Sequence, residues 1–147
     1  MNTWKTVRSI LLVIFLVFAA LLLSNCQAFR AEPSALSDEE VGQVVDRILN
    51  GLNAGDYQAF SQDFGDTMKN TLNESEFNKI RTMLQETSGN YLSRSKPSLL
   101  NNQGYAIYRF PCKFEKEDVI VTVTFKINGD KVEGLFFDSN NLRKVSK

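Results

Sequence analysis

The chain has 147 residues, with 17 basic and 17 acidic side chains, and therefore no formal net charge at pH 7. It contains no histidine, which excludes Ser-His-Asp and Cys-His catalytic groups and removes the commonest ligand of zinc and non-haem iron. No basic stretch is interleaved with aromatic residues, so nucleic acid is not an expected partner. Neither a metal nor a cofactor is expected.

The amino-terminal residues have the pattern of an export signal. Lys5 and Arg8 precede an uninterrupted apolar run, residues 10–23, which gives way to polar residues before Cys26. As a helix this run would be about 21 Å long, shorter than the roughly 30 Å hydrocarbon core of a bilayer. The pattern predicts a signal peptide or membrane anchor over residues 1–26.

Three fates of this segment agree with its sequence. Leu23-Ser24-Asn25-Cys26 resembles the bacterial lipoprotein box, which predicts cleavage before Cys26 and attachment of a lipid to its thiol. Cleavage after Ala28 by an ordinary signal peptidase and retention of the segment as a membrane tether are the alternatives. In each case the rest of the chain lies outside the cytoplasm, in the cell envelope or secreted. In the first and third cases the membrane is a partner of the amino terminus.

A linker over residues 27–36 and a single domain over residues 37–147 are predicted to follow. Within the domain, a capping box formed by Ser37 and Glu40 indicates the start of an amphipathic helix. Gly55 indicates its end, because glycine readily adopts the left-handed conformation past a helix C-terminus. The apolar residues of this helix recur on one face, at Val41, Val44, Val45, Ile48, Leu49 and Leu52.

Shorter helices are predicted next. Asp56 is a candidate cap for a helix that contains Tyr57 and Phe60, and a turn or short helix opens near Thr67. A further helix begins after the capping residue Asn73 and is closed by Gly89. Its apolar face consists of Phe77, Ile80, Met83 and Leu84.

The second half of the chain alternates with period two, which is typical of half-buried antiparallel strands. Strands are predicted over residues 90–96, 105–114, 119–127 and 131–138, with Asn128-Gly129 as a type I′ turn before the last of them. Helices followed by strands predict an α+β fold. We expect the amino-terminal helices to pack against a curved four-stranded antiparallel sheet in a cone-like arrangement.

One pattern resembles a known family. Residues 52–60 read Leu-Asn-Ala-Gly-Asp-Tyr-Gln-Ala-Phe, and residues 66–69 and 132–137 follow in the expected order. Together these features resemble the nuclear transport factor 2-like superfamily, with its cystatin-like cone fold, and in particular its small exported branches of unknown function. The resemblance implies a sheet wrapped around a helix with a conical cavity between them. Some members use that cavity for catalysis, whereas others bind small molecules or dimerise through the sheet.

Four aromatic residues are candidates for a ligand-binding cavity of this kind: Tyr108, Phe110, Phe125 and Phe136. Packing in the core is the alternative for each of them. Cys112 is expected to be a buried structural thiol. No position matches an enzymatic motif of the superfamily, so no catalytic residue is assigned. An apolar patch on the outer face of the sheet, where a homodimer or another protein would bind, is predicted from Ile107, Ile120 and Leu135.

Asp56 and Tyr57 are the most suggestive acid and phenol, and a helix cap with a packed aromatic ring is the simpler interpretation. The sequence therefore predicts a non-catalytic domain that is tethered to the outer side of a membrane and binds a small ligand or a protein. The alternative is a cavity enzyme of the isomerase, dehydratase or cyclase type that uses Asp and Tyr without His.

Overall fold

The computed structural model describes residues 36–145, so Cys26, the signal segment and most of the predicted linker lie outside the described residues. The helices are α1 (Asp38–Ala54), α2 (Tyr57–Ser61), α3 (Asp66–Thr71), α4 (Glu74–Thr87) and α5 (Asn140–Val145). The strands are β1 (Tyr91–Arg94), β2 (Ser98–Asn102), β3 (Tyr105–Phe114), β4 (Asp118–Lys126) and β5 (Val132–Asp138). The predicted α+β class is confirmed, because helices precede a single antiparallel sheet.

Helix α1 begins at the predicted capping box. The backbone N–H of Glu40 donates to Ser37 Oγ over 3.3 Å, and the N–H of Ser37 donates to Glu40 Oε2 over 2.8 Å. These bonds satisfy two of the donors that a helix start leaves without intrahelical partners. Gly55 ends the helix at a φ of 73°, as predicted. The apolar stripe of α1 is buried in one core with the sheet.

Strand β3 organises the sheet. β4 pairs along one edge of β3 and is itself paired with β5. The other edge of β3 is shared by two short strands, since β2 pairs with its first half and β1 with its second half. We call the face that carries Tyr108 and Phe110 the inner face, because these side chains are buried in the core that also contains α1.

The sheet has five strands, and the predicted count of four is wrong because the sequence pattern does not reveal β2. Leu99 and Leu100 are adjacent and both exposed, so no alternation of buried and exposed residues marks this strand. A tight turn joins β2 to β3 through Gln103 (φ 48°) and Gly104 (φ 84°). Positive φ at both central residues is what a type I′ turn requires, and glycine meets that requirement without strain.

The connection from β4 to β5 differs from the predicted type I′ turn. Asn128 has a φ of 65°, whereas Gly129 does not have a positive φ. The N–H of Gly129 donates to the carbonyl oxygen of Lys126 over 2.9 Å, so the turn is centred on Ile127 and Asn128. Strand β5 begins only at Val132.

A register shift follows within β5. Phe125 pairs with Val132, but Thr124 pairs with Gly134, so Glu133 is an additional residue on the β5 side. A bulge of this kind reverses which side chains in the remainder of the strand face the core. Leu135 and Phe137 therefore pack against the core, and the intervening Phe136 faces away from it.

The hairpin between β3 and β4 holds the end of α4. Lys116 Nζ donates to the carbonyl oxygens of Gln85 and Glu86 over 2.9 and 2.8 Å. These carbonyls belong to the last helical turn, where intrahelical partners are missing. Glu115 accepts the backbone N–H of Asn90 over 2.8 Å, so neighbouring hairpin residues hold both sides of the α4–β1 connection.

Glu117, in the same hairpin, joins three parts of the chain. Its carboxylate accepts hydrogen bonds from Ser88 Oγ at 2.7 Å, from Ser139 Oγ at 2.8 Å and from the N–H of Asn141 at 3.2 Å. Burial acts to raise the pKa of Glu117, but these hydrogen bonds outweigh it and hold the pKa below its usual value. The carboxylate therefore fixes the start of α5 against the end of α4.

Candidate functional site

Three of the four predicted ligand-binding residues lie side by side in the core. Tyr108, Phe110 and Phe125 are 1%, 0% and 1% exposed. The rings of Tyr108 and Phe125 meet edge to face, with centroids 6.0 Å apart. The Tyr108 hydroxyl donates to the carbonyl oxygen of Leu36 over 3.3 Å. Their contacts are those of packed core residues.

Phe136, the fourth, is elsewhere. It is 63% exposed and pairs with Thr122 on the face of the sheet opposite Tyr108. The expectation that Phe136 belongs to the interior is therefore wrong, and so is the expected outward position of Leu135. Both errors have one cause, since the bulge at Glu133 shifts the alternation of β5 by one residue.

We call the four apolar side chains on the side away from α1 the outer apolar face: Leu100, Ile107, Ile120 and Phe136. Leu100 is 58% exposed and pairs with Ile107 across the β2–β3 ladder. Ile107 and Ile120 lie on this face as the sequence predicts. Thr124 and Thr122 connect these apolar residues, because they pair with Ile107 and Phe136 respectively.

Charged residues border the outer apolar face. Arg109 lies on β3 between Ser98 and Thr122 and is exposed. Asp138 forms an ion pair with Arg143 of α5, with Nη2 and Oδ2 2.5 Å apart. The hydrogen bonds from Arg143 lower the pKa of Asp138, and the charge of Arg109 acts in the same direction. The face thus combines an apolar centre with fixed charges, an anatomy common in protein interfaces.

An apolar groove adjoins this face at the edge of β5. Its volume is about 220 Å³, and Phe136 borders it. The other lining residues come from the end of α3, from α4, from β5 and from α5: Leu72, which caps α3, Ile80, Met83, Leu135, Phe137 and Leu142. Leu142 is the one residue of α5 that is buried, so it contributes the apolar contact of that helix.

A carboxylate and a phenol meet at a site that the sequence does not indicate. The Tyr91 hydroxyl donates to Asp46 Oδ1 over 2.7 Å, and Arg94 Nε donates to the same oxygen over 3.0 Å. The Arg94 guanidinium also lies over the Phe110 ring, 5.5 Å from its centroid. The three polar residues come from α1 and β1, and no motif spacing links residues 45 positions apart.

The local backbone allows this cluster to form. Gly42 lies one turn before Asp46 on α1, and a β-carbon at Gly42 would overlap the Arg94 guanidinium in its present position. The guanidinium can therefore lie against the helix only because this residue has no side chain. Burial, with the hydrogen bond to Asp46, raises the pKa of Tyr91 well above its usual value. The phenol is thus held protonated, as a donor to the carboxylate.

Asp56 and Tyr57 do not form a comparable pair. Asp56 Oδ1 accepts the N–H of Ala59 over 3.0 Å, which is the geometry of a helix cap. The Tyr57 ring packs against Phe77, with centroids 5.7 Å apart. Within residues 36–145, no group of three or more Cys, Asp or Glu side chains is arranged to hold a metal ion, and no helix is long and apolar enough to cross a bilayer.

Comparison with protein families matches residues 45–135 to a family described as a protein of unknown function, DUF3887. The match covers more than half of the chain. The chain belongs to this family. Neither the curated proteins nor the solved structures gave a match. The region matched to DUF3887 contains the Asp46 cluster and ends at Leu135, so Phe136 and α5 lie beyond it.

The buried thiol of this DUF3887 domain predicts a pH dependence of stability. Burial raises the pKa of Cys112 to about 12, and the negative charge of Asp46 acts in the same direction. An unfolded thiol titrates near pH 8.5, so above that pH the unfolded chain loses a proton that the folded chain keeps. The free energy of unfolding should then fall by up to about 1.4 kcal/mol per pH unit from this thiol alone.

Urea unfolding at intervals from pH 7 to pH 10 measures this effect. Cys112→Ala should give a flatter profile than the parent over that interval. The free energy of unfolding of the two proteins should differ in its pH dependence by the titration of one proton, because any contribution from Cys26 is the same in both. Parallel curves for parent and variant would contradict the prediction.

Proposed function

We propose that this chain is a non-catalytic binding domain of the nuclear transport factor 2-like cone type. Its amino terminus tethers it to the outer side of a membrane, and its outer apolar face binds a protein partner. The observation that carries the proposal is the contrast between the two faces of the sheet. Tyr108 and Phe110 on the inner face are fully buried, whereas Phe136 and Leu100 on the outer face are largely exposed.

The cone assignment is supported by the order of the elements and by one local motif. An amphipathic helix is followed by Gly55-Asp56-Tyr57, two short helices and a further helix, and then by an antiparallel sheet. Asp56 caps α2 and the Tyr57 ring packs beneath it, which are structural roles for both motif residues. The tether is supported by the sequence of residues 1–26.

The hydrogen bonds of Asp46 and the raised pKa of Tyr91 favour a binding role over the enzymatic alternative. Asp46 already accepts hydrogen bonds from both Tyr91 and Arg94. A general acid needs a pKa near the working pH. The raised pKa of Tyr91 moves the phenol away from that range. These contacts support a structural role in joining α1 to β1.

A protein is favoured over a small ligand by the shape of the exposed surface. Small-molecule sites are concave and enclose most of their ligand. The outer apolar face lies on an open sheet, and Phe136 projects from it with 63% of its surface exposed. Exposed aromatic side chains at the centre of an interface often supply much of its binding energy.

Substitution of Phe136 tests the proposal. Phe136→Ser should weaken partner binding by roughly tenfold to a hundredfold, because it removes a large apolar contact. The fold should be unaffected, since Phe136 contributes little to the core. Leu92→Ser is the matched control, because Leu92 is 58% exposed but lies on β1, outside the outer apolar face.

The measurement is photo-crosslinking in membranes of the native host. A crosslinker at Thr122, which pairs with Phe136, compares the adduct yields of the parent, Phe136→Ser and Leu92→Ser chains, and crosslinkers at positions 136 and 92 compare the two surfaces. A discrete adduct is expected from position 136, and sedimentation of the purified chain distinguishes a second copy from a different protein. Equal adducts from both positions, or an adduct at position 136 that still forms when the sample is denatured with detergent before irradiation, would count against a specific face.

A further inference from the structure

The backbone of β4 hydrogen-bonds to its two neighbouring strands in alternation. At one end of the β3–β4 ladder, the N–H of Phe114 donates to the carbonyl oxygen of Glu117 over 3.0 Å. At the other end, the N–H of Ile127 donates to the carbonyl oxygen of Gly104 over 2.9 Å. Antiparallel pairs alternate between those that exchange hydrogen bonds and those that do not. Counted from either end, the inner-face residues of β4 therefore bond to β3, and Thr122 bonds to β5.

The same alternation decides which residues of β5 face the free edge of the sheet. Thr122 pairs with Phe136, so Phe136 exchanges its backbone hydrogen bonds with β4. Leu135 and Phe137, on either side of it, direct their N–H and C=O groups away from β4. Outside the β4–β5 ladder, no described residue hydrogen-bonds to these four groups. Strand β5 is also the last strand in the order of the sheet.

The beginning of β5 has the cover that its later residues lack. The N–H of Val132 donates to the carbonyl oxygen of Asp63 over 2.9 Å, and its carbonyl oxygen accepts the N–H of Gly65 over 3.0 Å. Proteins usually protect a strand edge with such a cover, with a bulge, or with charged residues or proline. Residues 135–137 read Leu-Phe-Phe and contain neither charge nor proline. We call their free backbone side the open edge.

The apolar groove described above lies at this edge, and Ile80 and Met83 of α4 line it together with Leu135 and Phe137. Its volume of about 220 Å³ is below the roughly 300–1,000 Å³ of typical small-molecule sites. A strip along five strand residues, about 17 Å long and about 10 Å wide, offers on the order of 170 Å². A stable interface between globular proteins buries about 800 Å² on each partner. The site therefore has the size for a short peptide segment.

The charged residues of β5 at the two ends of this stretch are already paired. Glu133 forms an ion pair with Lys126 over 3.3 Å, and Asp138 forms one with Arg143. The open edge between them carries no charge of its own. An uncharged segment therefore matches it better than an acidic or a basic one.

We propose that the open edge binds an extended, uncharged segment of another protein, which joins the sheet as a further strand beside β5. Backbone groups of this segment bond to Leu135 and Phe137, and its alternate apolar side chains enter the groove. In this mode of recognition the main chain supplies affinity, and pockets for alternate side chains supply specificity. The site is formed by the edge of β5, so it does not require that the outer apolar face bind anything.

Amide hydrogen exchange of the full chain tests the geometry of the free protein. The amides of Leu135 and Phe137 should exchange at least about tenfold faster than the amide of Phe136, which bonds to β4. Equally slow exchange at all three positions in a dilute sample would overturn the proposal. The open edge would then already be occupied within one chain.

A synthetic peptide of seven residues, in which valine and threonine alternate, is the probe for binding. At millimolar concentration it should slow the exchange of the Leu135 and Phe137 amides by at least about tenfold. Two matched peptides carry N-methyl groups on all valines or on all threonines. A strand offers one alternate set of N–H groups to each neighbour, so one methylated peptide should bind at least about tenfold more weakly than the other. Absence of protection, or equal binding of the two methylated peptides, would overturn the proposal.

Substitution in the groove provides a second test. Met83→Lys should weaken binding of the probe by about tenfold or more, because it places a charge in an apolar groove. Thr82→Lys is the matched control, since Thr82 is the exposed neighbour on α4 and does not line the groove. The amides of β4 report global stability, so a variant that simply unfolds is recognised. Equal binding by the two variants would overturn the proposal.

A second copy of the chain is the competing occupant, and protein concentration distinguishes it. Protection of Leu135 and Phe137 that rises with protein concentration in the absence of the peptide would assign the open edge to pairing between two β5 strands. That result would overturn the proposal.

Discussion

Replacing Phe60 with alanine is expected to lower the free energy of unfolding by about 3–5 kcal/mol, the range found when phenylalanine is removed from a packed core. Phe60 is fully buried, and its ring centroid is 4.9 Å from those of both Phe64 and Phe77. Helices α2 and α4 and the segment between α2 and α3 thus share this contact. The loss would be a large part of the 5–15 kcal/mol that stabilises a typical domain.

The cavity left by Phe60→Ala is expected to remain largely open. Helices α1 and α2 already touch at Gly51, where a β-carbon would be 2.6 Å from the backbone nitrogen of residue 60. These helices cannot move much closer, and a cavity that cannot collapse gives the larger penalties in such series.

Denaturant unfolding followed by circular dichroism measures the change. Phe136→Ala is the control, since it makes the same substitution at an exposed residue and should alter stability by no more than about 0.5 kcal/mol. Similar losses for the two variants would contradict the assignment of Phe60 to the core and Phe136 to the outer face.

The second large effect is expected at Glu117. Glu117→Ala leaves the Ser88 and Ser139 hydroxyls and the N–H of Asn141 without their common acceptor. Ser88 and Ser139 are both buried, so water cannot fully replace the carboxylate. We expect a loss of about 2–4 kcal/mol, consistent with hydrogen bonds to a charged group and buried donors left unpaired.

The same residue predicts sensitivity to acid. Because folding lowers the pKa of Glu117, its stabilising contribution is present above the unfolded value of about 4.3 and is lost as the pH falls through the folded value. Glu117→Gln should therefore differ from the parent at pH 7 and resemble it more closely near pH 3. Hydrogen exchange of α5 should accelerate in both Glu117 variants.

Glu86→Ala is the control for these measurements, since Glu86 is exposed on α4 and its backbone oxygen, rather than its carboxylate, binds Lys116. A loss in Glu86→Ala as large as that in Glu117→Ala would show that charge alone, and not the three-way contact, is responsible.

The helical half of the fold could be predicted from the sequence because the residues that start and end a helix are close together in the chain. Ser37 and Glu40 form the capping box that their spacing indicates, and Gly55 adopts the left-handed conformation that ends α1. Strands β3 and β4 could also be predicted, since each has one buried face and one more exposed face and therefore an alternating sequence. Strand β2 could not be predicted, because Leu99 and Leu100 are exposed on opposite faces and the strand shows no alternation of apolar and polar residues.

The outer apolar face and the cluster around Asp46 were harder to predict from the sequence, because they depend on contacts between residues that are far apart in the chain. One additional residue, Glu133, decides that Phe136 and not Leu135 faces outward. The neighbouring Gly134 is compatible with a bulge, but a glycine alone does not determine where the register shifts. The Asp46 cluster requires α1 to lie against β1, which depends on packing and on the space left by Gly42. Sequence spacing carries no information on either arrangement.

The capping of α4 by Lys116 has a consequence for the order of assembly. The lysine and the Gln85 carbonyl that it binds are 31 positions apart. A polypeptide that emerges amino end first presents the α4 segment well before its cap, and contacts of such long range are slow to form. The last turn of α4 would then stay frayed until the central hairpin has emerged. Maturation of the domain therefore awaits the appearance of its middle strands.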